Sequence, residues 1–429
     1  MTRGLPIALV HLTPDAWLLF ATRFTRLFAY GSLSVVLVFY LIGVGLSEPQ
    51  TGVLLTLTLA GDTLVSLVMT TRADRIGRRR MLVAGALLMV AAGLVFASAT
   101  NFWLLVVAGI VGVISPSGQE VGPFLSIEQA ALSHVVTDST RTDVFAWYTL
   151  TGSLATALGA LAGGTAARIL QTTAMAPVDS YRVVVIVYAA LGAILAVIFS
   201  RLSPRAEAVT LGEKRAFRGT FASLSGLDQS RTVVMKLSAL FALDSFGGGF
   251  VVQSFAAYWF YLRFGVNPAT LGAIFFWANI LAGISALAAS RLAARIGLVR
   301  TMVVTHLPSN ILLILLPLMP TLPLAILVLL VRFSISQMDV PTRQSYIMAV
   351  VTPGERSAAA GITGVARTAG AAISPLFVGL LFARPALVSV PFFLAGTLKI
   401  AYDLLLYRGF AAVRPPEEAL RRERALRRQ

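Results

Sequence analysis

The chain has 429 residues, 57% of them hydrophobic and 13% charged, and it contains no cysteine. A soluble domain is nearer about 45–50% apolar and about 25% charged, so a water-soluble fold has nowhere to place this excess, and thiolate chemistry is excluded. The formal charge of +16 comes from 35 Lys+Arg against 19 Asp+Glu, but the basic residues fall in short gaps between apolar runs, as topology signals do, and not on a nucleic-acid surface.

Met1–Asp15 lacks the basic start, apolar stretch and small-residue cleavage site of a signal peptide, so the first span is expected to stay attached. Twelve apolar spans then follow, near 16–46, 51–72, 81–100, 102–135, 143–168, 181–201, 233–263, 269–291, 301–320, 323–350, 358–382 and 386–408. Windows such as Leu82–Ala99, Val183–Ser200 and Ile311–Leu330 carry no charged side chain. They approach the roughly 20 residues needed to cross a ~30 Å hydrocarbon core. A polar, basic gap from Ser203 to Arg231 divides the spans into six and six. The expected organisation is an all-α membrane protein of two six-helix bundles, 1–202 and 233–410, joined by a linker at 203–232 and followed by a basic tail at 411–429.

Alternate gaps differ in basic content. One set holds Arg72, Arg75, Arg78–Arg80, Arg141, Arg205, Lys214, Arg291, Arg295, Arg300, Arg356 and the tail arginines; the other holds only Arg168, Arg182, Arg263 and Arg384. The positive-inside bias places both termini in the cytoplasm. Abundant alanine and arginine beside only three lysines fit a GC-rich bacterial source and hence an inner membrane.

The halves repeat. Ala73-Asp74-Arg75-Ile76-Gly77 aligns with Ala293-Ala294-Arg295-Ile296-Gly297, 220 residues on. Val135-Val136-Thr137 with Arg141 aligns with Val350-Val351-Thr352 and Arg356 at a shift of 215, which also places Gly159-Ala160 and Gly164 on Ser374-Pro375 and Gly379. Internal repeats of this kind are typical of secondary transporters, whose site lies between the repeats.

Arg72 to Arg80, with Asp74, Arg75, Gly77 and Arg78, resembles the signature loop between spans two and three of the major facilitator superfamily, with Thr70 where the family's first glycine stands. The resemblance implies a twelve-helix transporter working by alternating access, with Asp74, Arg75 and Arg78 as a cytoplasmic gate. Gly159, Gly163 and Gly164, with Pro375 and Gly379 in the second half, resemble the glycine motif of drug:proton antiporters, although Ala160 replaces that motif's proline. Val106-Val107-Ala108 stands in span four where exporters often carry an arginine; Arg332 in span ten is the nearest counterpart.

An ionisable side chain in mid-span costs about 2.5–3.5 kcal/mol on insertion scales and so faces a cavity or a partner. Spans one, four, seven and ten, which line the cavity in the family, carry Arg23, Arg26, Glu120, Glu128, Asp244, Arg332, Asp339 and Arg343. Pro116 and Pro123 interrupt span four, and Gly247-Gly248-Gly249 gives span seven a flexible point. Asp244, Asp339 and Glu120 are read as lacking an obvious local cation and are the candidates for proton coupling. Ion pairs are expected between Glu128 and Arg343, Asp62 and Arg367, and Asp403 and Lys399, the last one turn apart. Arg26, Arg332, Arg343, Glu128, Gln119, Gln337 and Tyr346 are candidates for the solute path.

No metal-ligand spacing and no phosphate-binding glycine loop are found, so the sequence points away from an enzyme or an ATP-driven pump. The expected partners are a small-molecule solute, protons and the bilayer, with no cofactor, the chain acting as a monomer. Efflux of a small organic compound is the first expectation. A small anion or metalloid is the alternative, and a non-transporting membrane sensor or scaffold is the alternative of another class.

Overall fold

In the computed structural model, residues 12–120, 123–136, 141–207, 227, 229–352 and 355–411 are described; most of the 203–232 linker, the tail and the side chain of Asp74 lie outside this set. Every regular element among the described residues is helical. In chain order they are α1 Pro14–Gly43, α2 Glu48–Ile76, α3 Arg78–Ser98, α4 Phe102–Val111, α5 Phe124–Val135, α6 Arg141–Thr172, α7 Pro177–Ser200, α8 Arg231–Gly249, α9 Gln253–Phe264, α10 Pro268–Ile296, α11 Leu298–Leu315, α12 Leu322–Ser336, α13 Asp339–Val350, α14 Arg356–Phe382 and α15 Val390–Phe410. Among the described residues, eleven stretches are long and apolar enough to cross a membrane, with the short α4 beside them. Twelve spans result, because the fourth, seventh and tenth are each made of two helices, α4 with α5, α8 with α9, and α12 with α13.

Helix ends follow local chemistry. Thr13 caps α1 by accepting from the Ala16 amide at 3.2 Å, and Ser47 with Gln50 forms a capping box on α2. The repeated turns after α2 and α10 both need a positive φ, at Gly77 (112°) and Gly297 (90°), a conformation open to glycine at little cost. The two aligned glycines of the sequence repeat therefore do the same conformational work.

The chain forms two compact units. The first comprises Met1–Arg215, Val252–Ile280 and Pro375–Pro385. At its centre α1 is mostly buried, packed on α6, α7 and α9. Small residues make this possible: a Cβ at Gly159 would collide with the Phe28 carbonyl, and one at Gly163 with the Ser32 carbonyl at 2.5 Å. Glycines four apart on α6 thus meet residues four apart on α1, letting two backbones touch. The second unit comprises Ala216–Val251, Leu281–Ser374 and Ala386–Gln429, with α11 packed on α12, α13 and α15 and an apolar cluster that includes Phe241, Met302, Tyr346, Tyr402 and Phe410.

Candidate functional site

In the first unit, charged side chains from α1 meet carboxylates from span four. The Arg26 guanidinium is bidentate to Glu128, with contacts of 2.6 and 2.7 Å, and donates again to Glu120 at 2.7 Å. Arg23 donates to Glu120 at 2.9 Å. Thr22 at 2.8 Å and the Tyr148 hydroxyl complete the donors to Glu128. Arg26 and Glu128 are fully buried, whereas the Glu120 side chain keeps 16% exposure. Gly152 leaves room for the Arg23 head group, whose Nε would lie 2.7 Å from a Cβ placed there.

In the break of span four, described polar groups find partners. The Pro116 carbonyl accepts from the amide and hydroxyl of Ser254 at 3.1 and 2.6 Å. Nearby, Gln253 donates to Ser34 at 2.7 Å and accepts from Asn279 at 3.0 Å, a buried ladder of neutral amides. Buried amides without such partners would cost about 1–3 kcal/mol each.

In the second unit, Asp244 of α8 receives Lys399 of α15 on one oxygen at 2.6 Å and Arg343 of α13 on the other at 2.9 Å. Arg343 also pairs with Asp339 at 3.2 Å. Asp403 is served by His306 and Asn310 of α11, at 2.8 and 2.9 Å. Metal-ligating atoms of Asp244, His306 and Asp339 lie within 4.8 Å of one another. The Asp244 oxygens are already held by an ammonium and a guanidinium, and Asp339 by the same guanidinium. A dication there would have to displace both cations.

These contacts correct three expectations. Glu128 pairs with Arg26, and Arg343 with Asp244 and Asp339, in place of the pair between Glu128 and Arg343. Lys399 turns to Asp244 in place of Asp403 one turn away. Glu120, Asp244 and Asp339 do have cations, supplied by Arg23, Arg26, Lys399 and Arg343. For Glu120, Glu128 and Asp244 the physical reason is that in a helical bundle the paired charge comes from a neighbouring helix about a hundred residues or more away in sequence; Arg343 reaches Asp339 from one turn along α13. Asp62 and Arg367 belong to different units.

Among the other candidates, Arg332 has a buried Nε without a hydrogen-bond partner among the described residues and stacks over Phe333. Gln119 is exposed, Gln337 is half-buried with its amide on Ser285, and Tyr346 lies in the apolar cluster edge-on to Phe410. Gly159 and Gly163 face α1, while Gly164 meets Pro268 and Gly272 of α10, and Pro375 and Gly379 meet Gly52 of α2. In the signature loop Arg75 is exposed, and the amides of Arg78 and Arg79 donate to the Glu207 carboxylate at 2.6 and 3.2 Å. Glu207 thereby answers free N–H groups at the start of α3. Sequence reasoning passed over it, and over His306, whose signal was an imidazole four residues before Asn310 inside an apolar span.

Apolar spans, repeated halves and buried, charge-paired side chains inside each unit fit a membrane transporter of the secondary type. The sequence profile of the Major Facilitator Superfamily matches residues 19–375, and the chain belongs to that family. The protein is 33% identical over 424 residues to Uncharacterized membrane protein YJR124C of Saccharomyces cerevisiae, covering 93% of this chain and 94% of the yeast one. Its fold resembles three solved transporters. A bacterial homologue of the human lysosomal transporter Spinster, in an inward-facing and unoccupied conformation, gives a TM-score of 0.66 at 16% identity, over 93% of this chain and 96% of that one. The nucleoside transporter NupG gives 0.67 at 14%, over 93% and 99%. A D-xylose-proton symporter gives 0.68 at 13%, over 91% and 97%.

Proposed function

We propose that this transporter exports a small organic solute in exchange for protons, by alternating access between the halves 1–202 and 233–410, the 203–232 linker and the 411–429 tail lying on the cytoplasmic side of a cell inner membrane. The carrying observation is Asp244: a fully buried carboxylate on a broken span, held by one lysine and one arginine from two other helices. Burying such a group is costly, and charges kept inside membrane spans mark ion and substrate pathways. Asp244, Asp339 and Glu120 serve as the proton-coupling carboxylates. Arg26, Arg343 and Glu128 hold the charge balance of the path, with Arg332, Gln119, Gln337 and Tyr346 along it. Asp74, Arg75, Gly77 and Arg78 form the cytoplasmic gate, working in a monomer. The export direction is supported by the antiporter-like pattern of Gly159, Gly163 and Gly164, repeated in Pro375 and Gly379.

Everted membrane vesicles from cells expressing the chain test this reading. With respiration maintaining an inward acid gradient reported by a quenched acridine dye, addition of a transported compound releases the quench. A panel of cationic, neutral and anionic organic compounds that leaves the dye unmoved, while vesicles loaded by diffusion show no solute flux, overturns transport and favours a sensor or scaffold.

A second reading is transport of a small anion or metalloid oxyanion. It is favoured by Arg332, whose buried Nε has no hydrogen-bond partner among the described residues, while Arg26 and Arg343 are ion-paired with carboxylates. The anionic members of the same panel separate the two readings.

A further inference from the structure

Two carboxylates lie near one lysine in the second unit, and they differ in their company. Asp244 is held by two basic side chains, Lys399 and Arg343. Asp403 is 0% exposed, and its hydrogen-bond partners, His306 and Asn310, carry no fixed charge. A buried carboxylate without a cation is strongly disfavoured. Here one proton removes the problem, because with it the pair formed by His306 and Asp403 is neutral overall, and without it the pair carries one negative charge.

Lys399 connects this pair to span seven. It stands one helical turn before Asp403 on α15, within the reach typical of such a spacing, yet its Nζ lies on Asp244 at 2.6 Å. Its stem runs along Gly247 and Gly248, where an added Cβ would come 3.1 Å from Cγ and 3.6 Å from Nζ. The His306 Nε2 is 3.7 Å from the same Asp244 oxygen, beyond a hydrogen bond. The other charged or titratable groups around the imidazole are Tyr402, edge-on from α15, Asp339 and Arg343 from α13, Arg332 from α12, and Arg367 from α14, which lies within electrostatic reach of Asp244.

We propose that His306 and Asp403 jointly bind one proton, and that its release draws the Lys399 ammonium from Asp244 to Asp403, unlatching α8 beside the glycine break of span seven. The inference rests on the proton-coupled reading above and deepens it. The proton arrives from water, is shared along the Nδ1 to Oδ1 contact, and returns to water. No other bond is made or broken.

The chain has only three histidines, His11, His134 and His306. Full-length protein carrying isotope-labelled histidine, in lipid nanodiscs, therefore gives three ring signals by NMR. His306→Gln assigns one of them; should that variant not fold, the double change His11→Gln and His134→Gln leaves His306 alone. The His306 signal is expected to change as pH is varied. Its transition moves to lower pH in Asp403→Asn, which removes the anion stabilising the charged ring. It moves to higher pH in Lys399→Met, which removes a competing cation, while Lys399→Arg restores it. A ring signal indifferent to pH, or a transition unmoved by Lys399→Met, overturns the proposal even if flux is proton-driven. A responsive ring in a protein whose flux ignores the proton gradient overturns the functional reading alone.

Discussion

Gly164 of α6 and Gly272 of α10 meet backbone to backbone: a Cβ built at Gly272 would lie 2.7 Å from the Ala160 carbonyl and 3.3 Å from the Gly164 Cα. The relation recurs within the first unit between Gly52 of α2 and Gly379 of α14, where a Cβ at Gly52 would lie 3.0 Å from the Gly379 Cα. The repeat offsets carry Gly52 onto Gly272 and Gly164 onto Gly379, so one contact is the pseudo-symmetric image of the other. Replacing Gly164 or Gly379 by leucine is expected to lower solute flux at least about tenfold, equivalent to ~1.4 kcal/mol, at unchanged membrane level. Gly361→Ala, which meets nothing within 4 Å, serves as the neutral control. Flux at the wild-type rate in Gly164→Leu disproves a role for this contact.

The pair of Arg26 and Glu128 gives a stability prediction. Removing one partner of a fully buried ion pair leaves an uncompensated charge, at a cost of about 3–5 kcal/mol. Arg26→Met should lower the thermal midpoint of the purified protein sharply, and the double variant Arg26→Met with Glu128→Gln should recover most of the loss. Additive losses in the double variant count against direct coupling.

Asp244→Asn is expected to abolish proton-driven flux while the protein inserts and folds. The change strands Lys399 and Arg343 without their shared anion, so it should also destabilise; adding Lys399→Met relieves that strain without restoring coupling. Normal proton-driven flux in either variant removes Asp244 from the coupling groups.

Glu207→Gln removes a carboxylate from the first amides of α3, a contact worth about 1 kcal/mol. The expected result is faster hydrogen exchange at Arg78 and Arg79 and quicker tryptic cutting in the Arg78–Arg80 turn, with the remaining helices unaffected. Unchanged exchange at these two amides shows that the cap contributes nothing.

The spans were legible because membrane thickness imposes a length that composition alone reveals. The interruption of span four was legible because Pro116 and Pro123 cannot donate backbone hydrogen bonds, and that of span seven because three glycines stand together at Gly247–Gly249. The partners of the buried charges were not. Arg26 finds Glu128 across 102 residues and Asp244 finds Lys399 across 155, separations that no local periodicity encodes. A one-turn rule drew Lys399 towards Asp403, whereas helix packing gave it to Asp244. Likewise Glu207 sits in a polar stretch where one glutamate looks like any other until the α3 amides approach it.

The neutral ladder of Ser34, Gln253 and Asn279, together with the glycine contacts, has an electrical consequence. A unit charge moved through the full membrane potential gains about 2.3 kcal/mol per 100 mV, but amides and glycines bear no net charge. Voltage thus does no work on the ladder or the glycine contacts themselves, and a potential-dependent step resides where protons and ion pairs shift.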